Sequence, residues 1–278
     1  MNRTSLIAIL TIAVSLSSCG SSKEKKEAEG LLAQSKEQLE LGNYETSLAL
    51  LDSISRAYPE QTGVRREAMH FRPSVIEKQT LTEISRNDSL SAEMKLVYDN
   101  ILPKMKKIDN PELVEGYWIS ENGNAKNIMD ATGIQARVSD DGEFYIISEV
   151  NGAGNLHHSS FTLSNASGQA VCSDTVPYDG ELNYRINGSE TVTYSGAQTD
   201  SVGVFAIENS DGPLTLTFIG ENGKTKKITL NKDQVIGIAN AYVMANSLSQ
   251  GKLLVLQREL LEKKLALARD QRARTLPD

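Results

Sequence analysis

The stretch LTLTFIGENGKTKKITL, residues 214–230, decides the fold of the central part of the chain. Leu214, Leu216 and Phe218 recur at every second position, which is the side-chain period of a β-strand. The same alternation returns in Ile228 and Leu230, after an Asn222-Gly223 dipeptide that favours the positive φ angles of a tight hairpin turn. The stretch therefore predicts two antiparallel strands that share one apolar face.

Similar short runs lie upstream of this hairpin, as far back as Gly116. Predicted strands cover residues 117–119, 134–138, 143–150, 158–163, 170–172, 182–186, 191–194 and 202–207. Turn dipeptides separate many of them: Asp141-Gly142, Ser167-Gly168, Asp179-Gly180, Asn187-Gly188 and Asp211-Gly212. Strands spaced by about 8 to 12 residues predict an antiparallel β-sandwich or barrel-like domain over residues 116–232.

Helical periodicity replaces the alternation on both sides of this domain. Residues 28–110 predict an N-terminal helical hairpin or bundle, with a break at Gly42-Asn43. Further helices are expected over residues 64–84, kinked near Pro73, and over residues 91–102. The overall expectation is an α+β protein.

A long C-terminal helix is predicted over residues 233–274. Its leucines form an apolar stripe along the helix: Leu253, Leu256, Leu260 and Leu267. Three more leucines widen this stripe: Leu254, Leu261 and Leu265. Two arrangements fit this pattern. The helix could pack back on the N-terminal helices, or it could self-associate with another chain as a short coiled coil.

The N-terminus carries a targeting segment. Arg3 precedes an apolar run over residues 6–16, which is shorter than the roughly 20 residues of a membrane-spanning helix. The sequence Leu16-Ser17-Ser18-Cys19 then resembles the lipobox of bacterial lipoproteins. This resemblance implies a signal peptide over residues 1–18, lipidation of Cys19, and a polar tether over residues 19–27. The alternative is an ordinary secreted protein.

The residue after the cysteine refines the expected location. Gly20, rather than Asp, follows Cys19, and in lipoproteins of enterobacterial type this implies sorting to the outer membrane. The protein is therefore expected to be lipid-anchored in the bacterial cell envelope, at the periplasmic or the surface-facing side.

The first helices resemble one tetratricopeptide repeat. Gly42-Asn43-Tyr44 matches the turn between the two helices of that repeat, and Tyr58-Pro59 matches its end. Ser35 stands where the family places a small residue, whereas Ile54 stands where it favours Ala. The resemblance covers about 34 residues and implies a helical hairpin suited to protein docking. A spacer that lifts the β-domain off the membrane is the alternative.

Composition restricts the function. A formal net charge of −7 argues against nucleic-acid binding, which needs clustered Lys and Arg. No Walker A, G-x-S-x-G, G-x-G-x-x-G or H-E-x-x-H motif occurs, so no catalytic residue, cofactor or metal is predicted. His157 and His158 are adjacent and on a strand would point to opposite faces, which disfavours a shared metal. Residues 140–143 fit a hairpin turn better than a calcium loop.

Two further sets of residues are candidate sites. Tyr117 and Trp118 could line a ligand groove in the β-domain, although a core position is the simpler interpretation. Asp-Ser/Thr-aliphatic triplets resemble an O-glycosylation acceptor motif of exported proteins in one Gram-negative phylum. The candidate acceptors are Ser89, Thr175 and Ser201, with Ser53 less favoured because it lies in a predicted helix.

The predicted function is that of a non-catalytic envelope lipoprotein. It would contact the membrane through its lipid and act as a structural or protein-interaction module with an envelope partner. The alternative is a ligand- or glycan-binding, or sensing, lipoprotein that uses its β-domain.

Overall fold

The structure, a computed structural model, describes residues 20–109, 116–122, 128–152, 156–221 and 223–275. The predictions on the signal peptide and on Cys19 lie outside these residues. The helices are α1 (Gly20–Glu40), α2 (Tyr44–Ala57), α3 (Thr62–Ile101), α4 (Ala197–Glu208) and α5 (Lys232–Thr275). Residues 20–27, expected to be a flexible tether, thus belong to α1.

The described chain divides into two compact units. The helical unit lies within Met1–Ser85 and Glu259–Asp278, and the sandwich unit lies within Arg86–Arg258. The α+β class, with N-terminal helices and a long C-terminal helix, is confirmed.

In the helical unit, α1 and α2 form a hairpin around a close contact between two small residues. Ser35 and Ser47 are both fully buried, and their hydroxyl oxygens lie 2.9 Å apart. Each hydroxyl also donates a hydrogen bond to the backbone carbonyl of the other residue. Leu51 and Ile54 of α2 pack beside this contact in a core that reaches Val75 of α3. Because serine side chains are short, the two helices can approach closely at this point.

The helix α3 is continuous, so the prediction of two separate helices is wrong. Pro73 lies inside it, although a proline removes one backbone hydrogen bond. Polar residues of the segment between the two predicted helices have partners on α5 in the sandwich unit. The Asn87 amide donates to the carbonyl of Leu254, and Arg258 pairs with Asp88 at 2.8 Å. A pattern of neighbouring residues in the sequence does not predict such tertiary contacts.

In the helical unit, the end of α5 packs against α3. Leu261 and Leu265 form an apolar cluster with Ile84. Arg269 and Arg272 both pair with the buried carboxylate of Glu77, at 3.0 and 2.7 Å. The arrangement in which α5 packs back on an N-terminal helix is therefore the one observed.

Ten strands are seen in the described part of the sandwich unit. They are β1 (Met105–Ile108), β2 (Tyr117–Ser120), β3 (Gly133–Ser139), β4 (Phe144–Val150), β5 (His158–Ser164), β6 (Ala170–Cys172), β7 (Asn183–Ile186), β8 (Ser189–Ser195), β9 (Leu214–Gly220) and β10 (Thr225–Leu230). A six-stranded sheet has the order β1-β2-β3-β4-β8-β7, and a four-stranded sheet has the order β10-β9-β5-β6. All pairs are antiparallel, and the two sheets stay separate, as in a sandwich.

The hairpins follow the turn dipeptides. Leu214 pairs with Leu230 and Leu216 with Ile228, which confirms the register expected for the opening stretch. Between β7 and β8, Asn187 and Gly188 have φ angles of 52° and 82°. These are the two positive φ angles that a type I′ turn requires.

One core fills the sandwich unit. It joins both sheets to α4 and to the first half of α5. Across the two sheets, the rings of Phe161 and Tyr194 meet edge to face with their centroids 5.0 Å apart. The helix α4 replaces the strand predicted over residues 202–207, and the strand β1 lies inside the region predicted to be helical; both of those predictions are wrong.

Candidate functional site

The outer face of the six-stranded sheet carries a cluster of an arginine and two tyrosines. Tyr117 lies on β2, Arg137 on β3 and Tyr145 on β4, and Arg137 is the direct cross-strand partner of Tyr145. All three side chains are half-buried. They share this face because side chains alternate along each strand, and the residues next to them, Val138 and Phe144, point into the core.

The guanidinium group of Arg137 is held in a defined orientation. Its central carbon lies 4.0 Å from the centroid of the Tyr117 ring, a stacked cation–π contact. Its Nε donates a hydrogen bond of 2.7 Å to the side-chain oxygen of Gln135. Burial raises the pKa of Tyr145, and the positive charge of Arg137 offsets part of that rise. In the described residues no carboxylate forms an ion pair with Arg137.

A groove of about 330 Å³ lies beside this cluster. Its lining is Gly116, Ser139, Glu143, Tyr145, Leu182, Thr193 and Ser195. Register explains why these residues meet: Ser139 is paired with Tyr117, and Ser195 with Tyr145. Three hydroxyl side chains, the exposed carboxylate of Glu143, a tyrosine ring and the exposed Leu182 thus line the same groove. We use the name outer groove for the groove together with the neighbouring cluster of Tyr117, Arg137 and Tyr145.

The two residues that the sequence singled out for ligand binding face opposite sides of the sheet. Tyr117 belongs to the outer groove, whereas Trp118 is partly buried against the sandwich core and lies 5.9 Å from the Lys107 amine. They therefore do not line one groove together. Arg137 and Tyr145 were not predicted, although both lie at polar-face positions of predicted strands. Only the strand pairing brings them to Tyr117.

A second polar cluster joins the two sheets inside the sandwich unit. His158 on β5 lies between Ser148 on β4 and Glu190 on β8. Its Nε2 is 2.7 Å from the Ser148 hydroxyl, and its Nδ1 is 3.0 Å from a Glu190 carboxylate oxygen. Ser148 and His158 are fully buried and Glu190 nearly so. Both ring nitrogens of His158 thus have hydrogen-bond partners inside the core.

The protonation of this cluster follows from its surroundings. Burial lowers the pKa of His158, so the imidazole is neutral near pH 7. Burial alone would raise the pKa of Glu190, but hydrogen bonds from the His158 and His157 backbone amides and from the His158 ring hold it below its usual value. A charged Glu190 can only accept hydrogen bonds, which places the imidazole proton on Nδ1 and lets the Ser148 hydroxyl donate to Nε2.

An acidic cleft of about 430 Å³ lies between the β3–β4 turn, α4 and α5. Asp141, Glu143, Asp200 and Tyr242 are among its lining residues. Burial raises the pKa of Asp200, and both burial and the charge of Asp200 raise the pKa of Tyr242. The Asp141-Gly142 turn that forms one wall is the hairpin turn expected from the sequence, with Gly142 at φ 85°.

The candidate glycosylation acceptors lie in different local structures. Ser89 is exposed on α3, and Ser201 is exposed on α4, where its hydroxyl donates to the Ala197 carbonyl. Thr175 is exposed in an irregular segment between β6 and β7. Ser53 of α2 donates to the Ala49 carbonyl. Among the described residues, no group of three His, Cys, Asp or Glu side chains could hold a metal ion.

Comparison of the sequence and the structure with known proteins identified no similar protein. No protein-family model, no curated protein and no solved structure matches the chain. In the described ranges, none of the helices combines the length and the apolar character that crossing a membrane requires.

Proposed function

We propose that the protein is a non-catalytic envelope lipoprotein that acts as a protein-interaction module and self-associates through α5. The observation that carries the proposal is the exposure of four leucines on one face of that helix. Leu253, Leu256, Leu260 and Leu267 have exposed fractions between 55% and 65%. Two lie in the sandwich unit and two in the helical unit. We call them the exposed α5 stripe.

The spacing of the stripe supports pairing with another helix. The intervals of three, four and seven residues are those of a and d positions in a heptad repeat. The leucines that widened the predicted stripe, Leu254, Leu261 and Leu265, are buried within the chain. The two sets therefore occupy different faces of α5, and no residue of the described ranges covers the exposed α5 stripe. Exposed apolar surface of this kind marks interaction sites.

A second copy of the chain is the occupant we propose. Lipidation of Cys19 would confine all copies to one membrane, which raises their effective concentration toward one another. A helix face that repeats with heptad spacing is also complementary to itself, because equivalent a and d residues can meet across a two-fold axis. Burying a leucine on association contributes about 1.5–3 kcal/mol, which corresponds to roughly a tenfold or greater change in association.

Crosslinking in intact envelopes tests this proposal. The full-length chain would carry Leu260→Cys in a Cys172→Ser background and be treated with a bismaleimide. We expect a crosslinked dimer. Leu256→Glu should reduce its yield about tenfold, because a charge would enter the apolar contact.

Val255→Glu is the matched control, because Val255 neighbours Leu256, has the same exposed fraction of 58%, and lies off the stripe. This control should leave the yield unchanged. The proposal is contradicted by the absence of a dimer, or by equal yields in the two glutamate variants.

A further inference from the structure

In the described part of the sandwich unit, Arg137 and Arg185 stack on tyrosine rings, and of these two only Arg185 pairs with a carboxylate of the described residues. The Arg185 guanidinium carbon lies 4.5 Å from the Tyr178 ring centroid, and its Nη2 lies 3.3 Å from a Glu221 carboxylate oxygen. Arg137 stacks more closely on Tyr117, at 4.0 Å, yet it pairs with no carboxylate of the described residues. Arg137 is thus a fixed, half-buried cation whose counter-ion is missing from the described part of the chain.

The fixed orientation of Arg137 suits a planar anion. A guanidinium group presents its N–H donors in a rigid fork that matches the two oxygens of a carboxylate. Stacking on Tyr117 and the hydrogen bond to Gln135 restrict the side chain before any ligand arrives. Binding would therefore cost little side-chain entropy. Partial burial strengthens the attraction, because the effective dielectric constant there is lower than in water.

The adjoining groove has the surface that a sugar ring requires. Ser139, Thr193 and Ser195 provide hydroxyl groups for hydrogen bonds, and the Tyr145 ring and Leu182 provide apolar area. A volume of about 330 Å³ is at the lower end of small-molecule sites. It therefore fits a short ligand segment rather than a folded protein.

We infer that the outer groove binds a carboxylate-bearing sugar, with the carboxylate on Arg137 and the ring in the groove beside Tyr145. A ligand carboxylate would give Arg137 the counter-ion that the described residues do not supply, which a neutral sugar cannot do. The lining also carries the exposed Glu143 carboxylate, so the ligand's carboxylate would have to lie at Arg137 and away from Glu143. This site is independent of the exposed α5 stripe, so its test and the test of self-association have separate outcomes.

Isothermal titration of the full-length protein in detergent tests the inference. The probes would be trigalacturonate, the neutral trisaccharide maltotriose, a triglutamate peptide and sodium acetate. We expect saturable binding of trigalacturonate that weakens as salt is added, and at least tenfold weaker binding of the other three. Arg137→Gln should weaken trigalacturonate binding at least tenfold, and Arg137→Lys should restore only part of it, because lysine lacks the fork.

Two further variants separate a binding effect from a folding effect. Arg185→Gln, at the arginine that already has its carboxylate, should leave binding unchanged. Ser195→Trp should block the groove without altering Arg137, because Ser195 is an exposed residue of its lining. The inference is overturned if trigalacturonate does not bind, or if Arg137→Gln and Ser195→Trp both bind as the unchanged protein does. If maltotriose or triglutamate binds as tightly as trigalacturonate, the proposed ligand class, a carboxylate-bearing sugar, is wrong.

Discussion

Ser148, His158 and Glu190 have the hydrogen-bond order of a hydrolytic triad, in which a serine contacts a histidine that an acid orients. A nucleophilic serine must reach its substrate, however, and the Ser148 side chain is fully buried within the sandwich unit. Glu190 instead receives three hydrogen bonds from the start of β5: two backbone amides, those of His157 and His158, and the His158 ring. The cluster therefore fastens β5 of one sheet to β4 and β8 of the other.

Removing the charge of Glu190 should destabilise the protein strongly. We expect Glu190→Gln to lower the free energy of unfolding by about 1–3 kcal/mol, because one carboxylate oxygen becomes an N–H donor and leaves a buried donor of β5 without its acceptor. Urea denaturation of the two proteins measures the difference. Glu221→Gln is the control: Glu221 is also paired with a basic side chain, but at the surface, and its loss should cost under about 1 kcal/mol. Equal effects of the two substitutions would contradict this structural role.

At the scale of elements, α4 shows how packing decides between helix and strand. The run Val202-Gly203-Val204-Phe205-Ala206-Ile207 has the apolar character of a buried strand. In the structure Val202, Phe205 and Ala206 are buried, at the i, i+3 and i+4 positions of a helix. Gly203 faces α5, and a Cβ atom there would lie only 2.4 Å from the Tyr242 ring. The absence of that side chain lets α4 and α5 approach.

Gly203→Ala should therefore be destabilising although alanine favours helices. We expect a loss of about 1–3 kcal/mol in the free energy of unfolding, because the Tyr242 ring must shift and repack. Gly251→Ala is the matched control, since Gly251 lies inside α5 and an added Cβ would meet nothing within 4 Å. That substitution should stabilise the protein by about 0.5–1 kcal/mol. Thermal unfolding of both variants measures the signs, and a gain in stability for Gly203→Ala would refute the close approach.

For the whole molecule, the sequence predicted what short-range patterns determine. The Asn187-Gly188 turn and the Leu216–Ile228 pairing depend on neighbours in the chain, and both were predicted. The continuity of α3 depends instead on Asn87 and Leu254, which are far apart in sequence. The outer groove likewise needs the pairing of β2, β3 and β4 to bring Tyr117, Arg137 and Tyr145 together. Local periodicity carries no information on such long-range contacts, so two of these three residues, Arg137 and Tyr145, were missed.

The proposed lipid anchor at Cys19 is the feature on which the proposed envelope location depends. We expect the native protein to enter the detergent phase in Triton X-114 partitioning and to have the mass of an acylated chain beginning at Cys19. Each buried CH₂ group of the acyl chains contributes about 0.8 kcal/mol to membrane binding. Cys19→Ser should move the protein to the aqueous phase with its leader uncut. Cys172→Ser should stay in the detergent phase, because Cys172 is an exposed thiol of β6 that has no part in the anchor. Detergent-phase partitioning of Cys19→Ser would show that another segment holds the protein at the membrane.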